Sequence, residues 1–289
     1  MTNTPASLTA PAKINLHLRI LGIRKDGYHE LRTLFFAVDV LSDLLEIEPG
    51  HDEHFYMRCP ANPDLECASN LIYKAWKLFG QATGFQPGIF VTLTKRIPMG
   101  GGLGGGSSDC ATLLRWLNDN AGNKALSHDD LISLAAILGA DVPFFLMNGP
   151  AWAEGIGEIL TPANIDLTGM TLVLACPDVH VDTLWAYKQW DRNNGSASMQ
   201  ESLTTPSSDT KKPSPVSALT VVNDFEAIVF AKYPILRKTK EKLIKNGAVA
   251  AAMSGSGASL FGLFRDNRSG MSAAKSLEKD GIMVFVQTM

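Results

Sequence analysis

Six glycines fall within seven positions of the run Pro98, Met99, Gly100, Gly101, Gly102, Leu103, Gly104, Gly105, Gly106, Ser107, Ser108, Asp109. The run follows Ile89 to Ile97, where Val91 and Leu93 share one face as in a strand. It precedes Cys110 to Leu117, where Ala111, Leu113, Leu114 and Leu117 recur at helical intervals. A strand entering a helix through glycine exposes backbone N–H groups at a helix N-terminus, and that combination cradles anions. Glycine lets a phosphate chain approach without meeting a Cβ, and it accepts the φ > 0 turns such a wrap requires. Ser107 and Ser108 are expected to add hydroxyl donors and to cap the helix. The plain alternative is a flexible linker, because a GxGxxG match is nearly automatic among so many glycines. Linkers, however, seldom run from a strand directly into an apolar helix. The run lacks a Gly-Lys-Ser/Thr ending and is therefore not a Walker A loop.

The same patterning organises the rest of the chain. Ile14, Leu16, Leu18 and Ile20 alternate with Lys13, Asn15, His17 and Arg19, which predicts a strand with one buried face and places Lys13 and Asn15 on the polar one. A polar, glycine-containing turn, Gly22 to His29, leads to an apolar segment, Leu31 to Val40, and then to a separate strand at Asp43 to Glu48. Helical spacing recurs at Asn70 to Gly80 and at Leu131 to Leu138, the latter opened by Ser127 and Asp130 as a capping box and closed by Gly139. Phe225 to Phe230, Ile235 to Ile244 and Ser272 to Lys279 also read as helices, and Ile282 to Gln287 as a last strand. Asn193 to Ser217 is Ser-, Thr-, Pro- and Lys-rich and is predicted to be a mobile excursion that adds little to a core.

A second glycine-rich element, Met253 to Ser259, precedes the apolar Leu260 to Phe264. Alone it is either a tight turn or a second wall of the anion site. Asp141 follows one predicted helix and stands two residues before Pro143. Its common use there is an N-cap or Asx turn; its catalytic use is as a general base taking the proton of an attacking hydroxyl. Lys13 reads either as a solvated strand lysine or as a cation that orients such a carboxylate and offsets phosphoryl charge. His17, on the same strand, is expected to be solvated or hydrogen-bonded.

With 289 residues the chain can bury a core that needs no disulfide or metal staple. A formal charge of −3 gives no general attraction to nucleic acid or to an anionic membrane. Cys59, Cys67, Cys110 and Cys176 show neither CxxC spacing nor zinc-ligand histidines and are read as reduced thiols. Met1 to Pro11 lacks a signal-peptide pattern, and no apolar run reaches the roughly 20 residues of a membrane helix. The protein is therefore predicted to be soluble and cytoplasmic, with neither nucleic acid nor membrane as a partner.

Taken together, Pro11 to Leu16, Pro98 to Asp109 and Met253 to Ser259 resemble the three motifs of the GHMP kinases, in order and spacing, over nearly the whole chain. Gly22 to Leu31 resembles the signature of a branch of that family acting on a cytidine diphosphate-linked methylerythritol. Gly139 to Pro143, Ala153 to Glu158 and Asn223 to Glu226 are also similar to that branch. The resemblance implies an α+β, two-domain fold: an N-terminal ribosomal-protein-S5-domain-2-like domain and a C-terminal ferredoxin-like α/β sandwich domain, with the active site in the cleft between them. It sets an ATP-binding domain at 1–162 and a substrate-binding domain at 163–289, the latter carrying the polar insertion at 193–217. It implies ATP with Mg2+, Lys13 and Asp141 as the catalytic pair, the Pro98 to Ser108 loop on the triphosphate, and Asn70 and Lys95 near the base and ribose. Asn15 joins the acceptor side, where Tyr28 and His29 stack on and read a cytosine; Tyr187, with Thr183 nearby, is the second aromatic, and Trp185 is its rival. Homoserine or mevalonate kinase activity, or a nucleotide-binding regulator without turnover, are the competing readings. Cys110 stands where the family commonly has alanine.

Overall fold

The computed structural model describes residues 5–50, 52–194, 214–215 and 220–289, the side chains of 214–215 excepted. Most of the polar stretch expected at Asn193 to Ser217 lies outside these residues. The chain forms two compact units interleaved in sequence. The first takes residues 1–12, 41–98 and 104–148; the second takes 13–40, 99–103 and 149–289.

Strand β1 (Ala6–Ile23) and strand β2 (His29–Pro49) are neighbours whose chain passes from one unit to the other. In the first unit, the 44–49 part of β2 pairs antiparallel with β4 (Ile89–Thr94), and β4 pairs parallel with β3 (Phe55–Arg58). Three helices pack together there: α1 (Leu71–Thr83), α2 (Gly105–Asn120) and α3 (His128–Leu138). Their buried stripes include Ile72, Ala75 and Phe79 on α1 and Leu113, Leu114 and Leu117 on α2. Ser127 caps α3 as expected, its hydroxyl accepting from Asp130 N at 3.2 Å and meeting the Asp130 carboxylate at 2.7 Å.

In the second unit, the start of β2 pairs antiparallel with β5 (Ala151–Glu154), which pairs with β6 (Ile159–Pro162). A short β7 (Ile165–Asp166) follows. Next come the fully buried β8 (Thr171–Cys176), α4 (Thr183–Asn194), a two-residue β9 (Ser214–Pro215) and β10 (Val222–Asn223), which pairs parallel with β1. Helices α5 (Glu226–Lys232) and α6 (Pro234–Lys245) lead to β11 (Ala250–Met253), β12 (Leu260–Phe264), α7 (Asn267–Glu278) and β13 (Met283–Thr288). An antiparallel sheet runs β11-β12-β8-β13 and carries α6 and α7. The core of this unit joins Leu18, Ile20 and Leu31 to Phe225, Phe230, Leu260 and Phe264.

Two expectations change. The apolar segment after residue 31 and the strand expected at 43–48 are one continuous strand, β2. The polar face of β1 is not solvated: Lys13 is 4% and Asn15 2% exposed, so β1 is buried on both faces from Ala12 to Leu16.

Candidate active site

Within the second unit, side chains from three distant stretches form one hydrogen-bonded network. Asn15 Oδ1 accepts from the Lys13 ammonium at 2.7 Å, and Asn15 Nδ2 donates to Thr33 Oγ1 at 2.7 Å. Ser254 Oγ accepts from Asn15 N at 3.2 Å and donates to Gly102 O at 2.9 Å. Backbone bonds tighten the same junction, Lys13 N to Leu103 O at 2.9 Å and Ser259 N to Gly101 O at 3.1 Å. The second glycine element is therefore packed against the first and is not an isolated turn. Gly102 (φ +74°) permits this approach, since a Cβ there would lie 2.1 Å from Ser254 O. Asn223 braces the second loop, donating to Met253 O at 2.7 Å and Gly255 O at 2.8 Å, while Glu226 accepts from Met253 N at 2.9 Å.

The remainder of the glycine run opens α2 in the first unit. Gly104, in the left-handed region, is its N-cap, and no side chain caps the helix. Ser107 and Ser108 lie inside the first turn instead of capping it. The first helical bond is Ser108 N to Gly104 O, at 2.9 Å, so the preceding N–H groups have no intrahelical acceptor and are available to an anion. Beside this turn lies a buried charge cluster. Lys95 Nζ donates to Asp43 Oδ2, and to Asp109 Oδ2 at 2.8 Å; Asp43 Oδ1 also accepts from Arg96 N at 2.5 Å and Ile97 N at 2.9 Å. Burial pushes the Asp109 carboxyl up to about 7, against the pull of Lys95 and with the help of the neighbouring Asp43 carboxylate. Burial would lower Lys95, but the two carboxylates outweigh it and hold the ammonium above its ordinary value. The two directions agree: two carboxylates share one cation, so the cation is held and the less hydrogen-bonded carboxyl is the harder of the two to ionise. Asp141 lies in this unit, in the turn between α3 and Pro143; Val142, without a side-chain cap, takes the N-cap position before Pro143. Asn70 N-caps α1, accepting from Ile72 N at 2.9 Å.

Elsewhere in the second unit, Arg24 N donates to Tyr28 O at 2.7 Å, closing the β1–β2 turn, and Tyr28 is 60% exposed. His29 stacks on Tyr187, with ring centroids 4.4 Å apart, and meets Trp190 edge to face. Tyr187 also meets Phe225 at 4.9 Å, so a face expected to take a base is covered by His29. Lys232 sits 3.9 Å from the ring centroid of Trp185, the alternative platform. Thr183 Oγ1 is 2.7 Å from Ser256 Oγ of the second glycine loop. His17 donates from Nδ1 to Thr220 O at 2.8 Å, and burial lowers its pKa.

The family models for the GHMP kinases N terminal domain and the GHMP kinases C terminal match residues 70–149 and 214–282. A 4-diphosphocytidyl-2-C-methyl-D-erythritol kinase of Oleidesulfovibrio alaskensis is 40% identical over the full length of both chains. That of Solidesulfovibrio magneticus is 41% identical, covering 96% of this chain and 95% of its own. The chain belongs to the 4-diphosphocytidyl-2-C-methyl-D-erythritol kinase family of GHMP kinases. A crystal structure of a 4-(cytidine 5'-diphospho)-2C-methyl-D-erythritol kinase superposes on this GHMP kinase with a TM-score of 0.78 at 32% identity, covering 97% of this chain and 98% of its own. A homoserine kinase from Cytophaga hutchinsonii shares the fold alone, with a TM-score of 0.65 at 17% identity, covering 99% and 95%.

In this GHMP kinase the Gly22 to Leu31 and Ala153 to Glu158 stretches meet. Glu30 accepts from Gly155 N at 3.1 Å, and Leu31 N donates to Gly155 O at 2.7 Å. Ser254 falls inside the second glycine element that the sequence singled out, whereas Thr33, in the Lys13–Asn15 network, and Asp43, in the Lys95 cluster, are residues that sequence reasoning missed. Asp43 had one readable signal, an acidic residue inside an otherwise strand-like segment. All four cysteines are free thiols, and no helix among the described residues is long and apolar enough to cross a membrane.

Proposed function

We propose that the chain transfers the γ-phosphoryl group of ATP to the 2-hydroxyl of 4-diphosphocytidyl-2-C-methyl-D-erythritol, giving the 2-phosphate and ADP in the methylerythritol phosphate route to isoprenoid precursors. The observation that carries the reading is the network joining Lys13 and Asn15 to Gly101–Leu103 and Ser254, because it holds a buried cation against a glycine loop shaped for phosphate. The acceptor oxygen attacks the γ-phosphorus, the bond to the β-bridging oxygen breaks, and ADP leaves with its electron pair. Asp141 takes the hydroxyl proton, Lys13 offsets charge on the phosphoryl oxygens, and the backbone from Pro98 to Ser108 holds the triphosphate. Asn70 and Lys95 lie on the base and ribose side. Asn15, Tyr28, His29, Thr183 and Tyr187 form the acceptor side. We assign residues 1–162 to nucleotide binding, apart from Asn15, Tyr28 and His29 on the acceptor side, and 163–289 to acceptor binding, and place the enzyme in the cytoplasm.

Magnesium, entering with ATP, would neutralise phosphate charge. Such an ion takes only one or two protein oxygens beside phosphates and water. The half-buried Ser107, in the first turn of α2, would supply one such oxygen.

ADP release measured with the cytidine-linked acceptor, homoserine and mevalonate tests the assignment. Turnover is expected with the first alone. Turnover of homoserine or mevalonate in its place, or none with any acceptor, overturns it.

A further inference from the structure

The His29 ring is fixed on three sides by residues of α4. Tyr187 stacks on it at 27° between planes, Trp190 meets it at 87°, and Asp191 Oδ1 lies 2.6 Å from Nε2. The imidazole is mostly buried, with 11% of its side chain exposed, so the carboxylate bond is shielded from competing water on the histidine side. A carboxylate can only accept, so the hydrogen resides on Nε2. In the neutral ring Nδ1 then carries a lone pair and is an acceptor. Among the described residues no hydrogen bond to Nδ1 is shown, and the exposed Tyr28 ring is the adjoining residue.

Cytosine and uracil differ at the 4-position: the first presents an amino donor, the second a carbonyl acceptor. We propose that Asp191 is a specificity-determining positioning residue which, by holding the hydrogen on His29 Nε2, makes Nδ1 an acceptor that selects the 4-amino group of cytidine over the 4-carbonyl of uridine. This rests on the cytidine-linked acceptor proposed above. Asp191 need not touch the acceptor; it acts by setting the polarity of the atom that does. A uracil carbonyl facing an Nδ1 lone pair places two acceptors together without a hydrogen, and sites built to pair a polar group reject the unpaired analogue strongly.

The test is Asp191→Asn, which conserves shape but can donate its amide hydrogen to Nε2 and so move the ring hydrogen to Nδ1. Nitrogen-15 correlation spectra of His29 in the whole enzyme read the tautomer, and ADP release reads kcat and KM for the cytidine-linked acceptor and its uridine counterpart. The wild type is expected to show the Nε2-H form and the variant the Nδ1-H form. The cytidine-to-uridine ratio of kcat/KM is expected to fall by about tenfold or more, through acceptor KM and not KM for ATP. Asp191→Glu, which keeps a carboxylate, is expected to recover part of the ratio; a merely structural role would not track the charge. An unchanged tautomer, or an unchanged ratio in Asp191→Asn, overturns the proposal. Failure of the wild type to use the cytidine-linked acceptor instead overturns the parent reading, and the tautomer measurement, made on free enzyme, separates the two.

Discussion

Lys95 brings one positive charge to two buried carboxylates, and that imbalance has a measurable pH signature. Asp43 is held by two backbone N–H groups as well as by the ammonium, whereas Asp109 Oδ1 is buried with no partner among the described residues. Asp109 is thus the natural proton holder, with its carboxyl at about 7 against an ordinary value of 3.8. Between those values the folded chain retains a proton that the unfolded chain has released, so this group's contribution is full below the lower value and is lost as pH rises toward the higher one. The loss approaches about 1.4 kcal/mol per pH unit inside the window and stops above it. Asp109→Asn is expected to remove that slope. Urea midpoints from pH 4.5 to 8, compared between variant and wild type, check this; parallel profiles would show that Asp109 is ionised throughout. The proposed base is tested by a different readout. Asp141→Ala is expected to lower turnover by roughly 10² to 10⁴ while ATP affinity survives, and turnover near that of the wild type removes Asp141 from the role.

Among the elements, the two halves of the glycine loop make separable demands. A methyl at Gly102 would strike the backbone oxygen of Ser254, which cannot swing aside, in a conformation that already disfavours alanine. At Gly106, in the first turn of α2, a Cβ meets nothing within 4 Å. Gly102→Ala is therefore expected to lower the melting temperature and disturb the loop. Gly106→Ala is expected to melt at or above the wild type, since alanine favours helix by about 1 kcal/mol, yet to lose ATP affinity because the methyl stands where phosphate must approach. Calorimetric titration beside thermal melts separates the cases, and full ATP affinity in Gly106→Ala would clear phosphate from that turn.

These elements also show what sequence can tell. Strand, glycine run and helix were legible because periodicity changes from two to 3.6 across the run, and Ser127 announced α3 through local capping chemistry. β2 was not legible as one strand: Ser42 and Asp43 interrupt its apolar pattern, and a fully buried aspartate there is tolerable because Lys95 and the Arg96 and Ile97 N–H groups, some fifty residues away, meet it. Likewise Lys13 and Asn15 stand on what reads as the polar face of a strand, and their burial depends on bonds to each other, to Thr33 and to Ser254 near the far end of the chain. β11, made of Ala250, Ala251, Ala252 and Met253, carries little strand propensity and exists through its pairing with β12. Local signals were readable; buried polar pairs between distant segments were not, except through the family pattern.

For the whole molecule, the interleaving of the two units limits how the chain can be divided. The 1–162 and 163–289 assignment divides the chain once, but the second unit draws residues 13–40, 99–103 and 149–162 from the earlier segment. A fragment of 163–289 would lose Leu18, Ile20 and Leu31 from the cluster that buries Phe225, Phe230 and Leu260. It would also strip β10 of its pairing with β1, where His17 stands opposite Val222 and Leu18 opposite Asn223. Each buried leucine or isoleucine contributes about 1.5–3 kcal/mol, so losing three removes much of the 5–15 kcal/mol by which a typical domain is stable. The isolated fragment is therefore expected to show no cooperative thermal transition and to be cleaved rapidly by protease, and co-expression with 1–162 is expected to restore both protection and ADP release. A sharp melt and protease resistance in the fragment alone would mean that the β11-β12-β8-β13 sheet with α6 and α7 is a self-sufficient core, and that the strands from residues 13–40 only complete a binding surface on it.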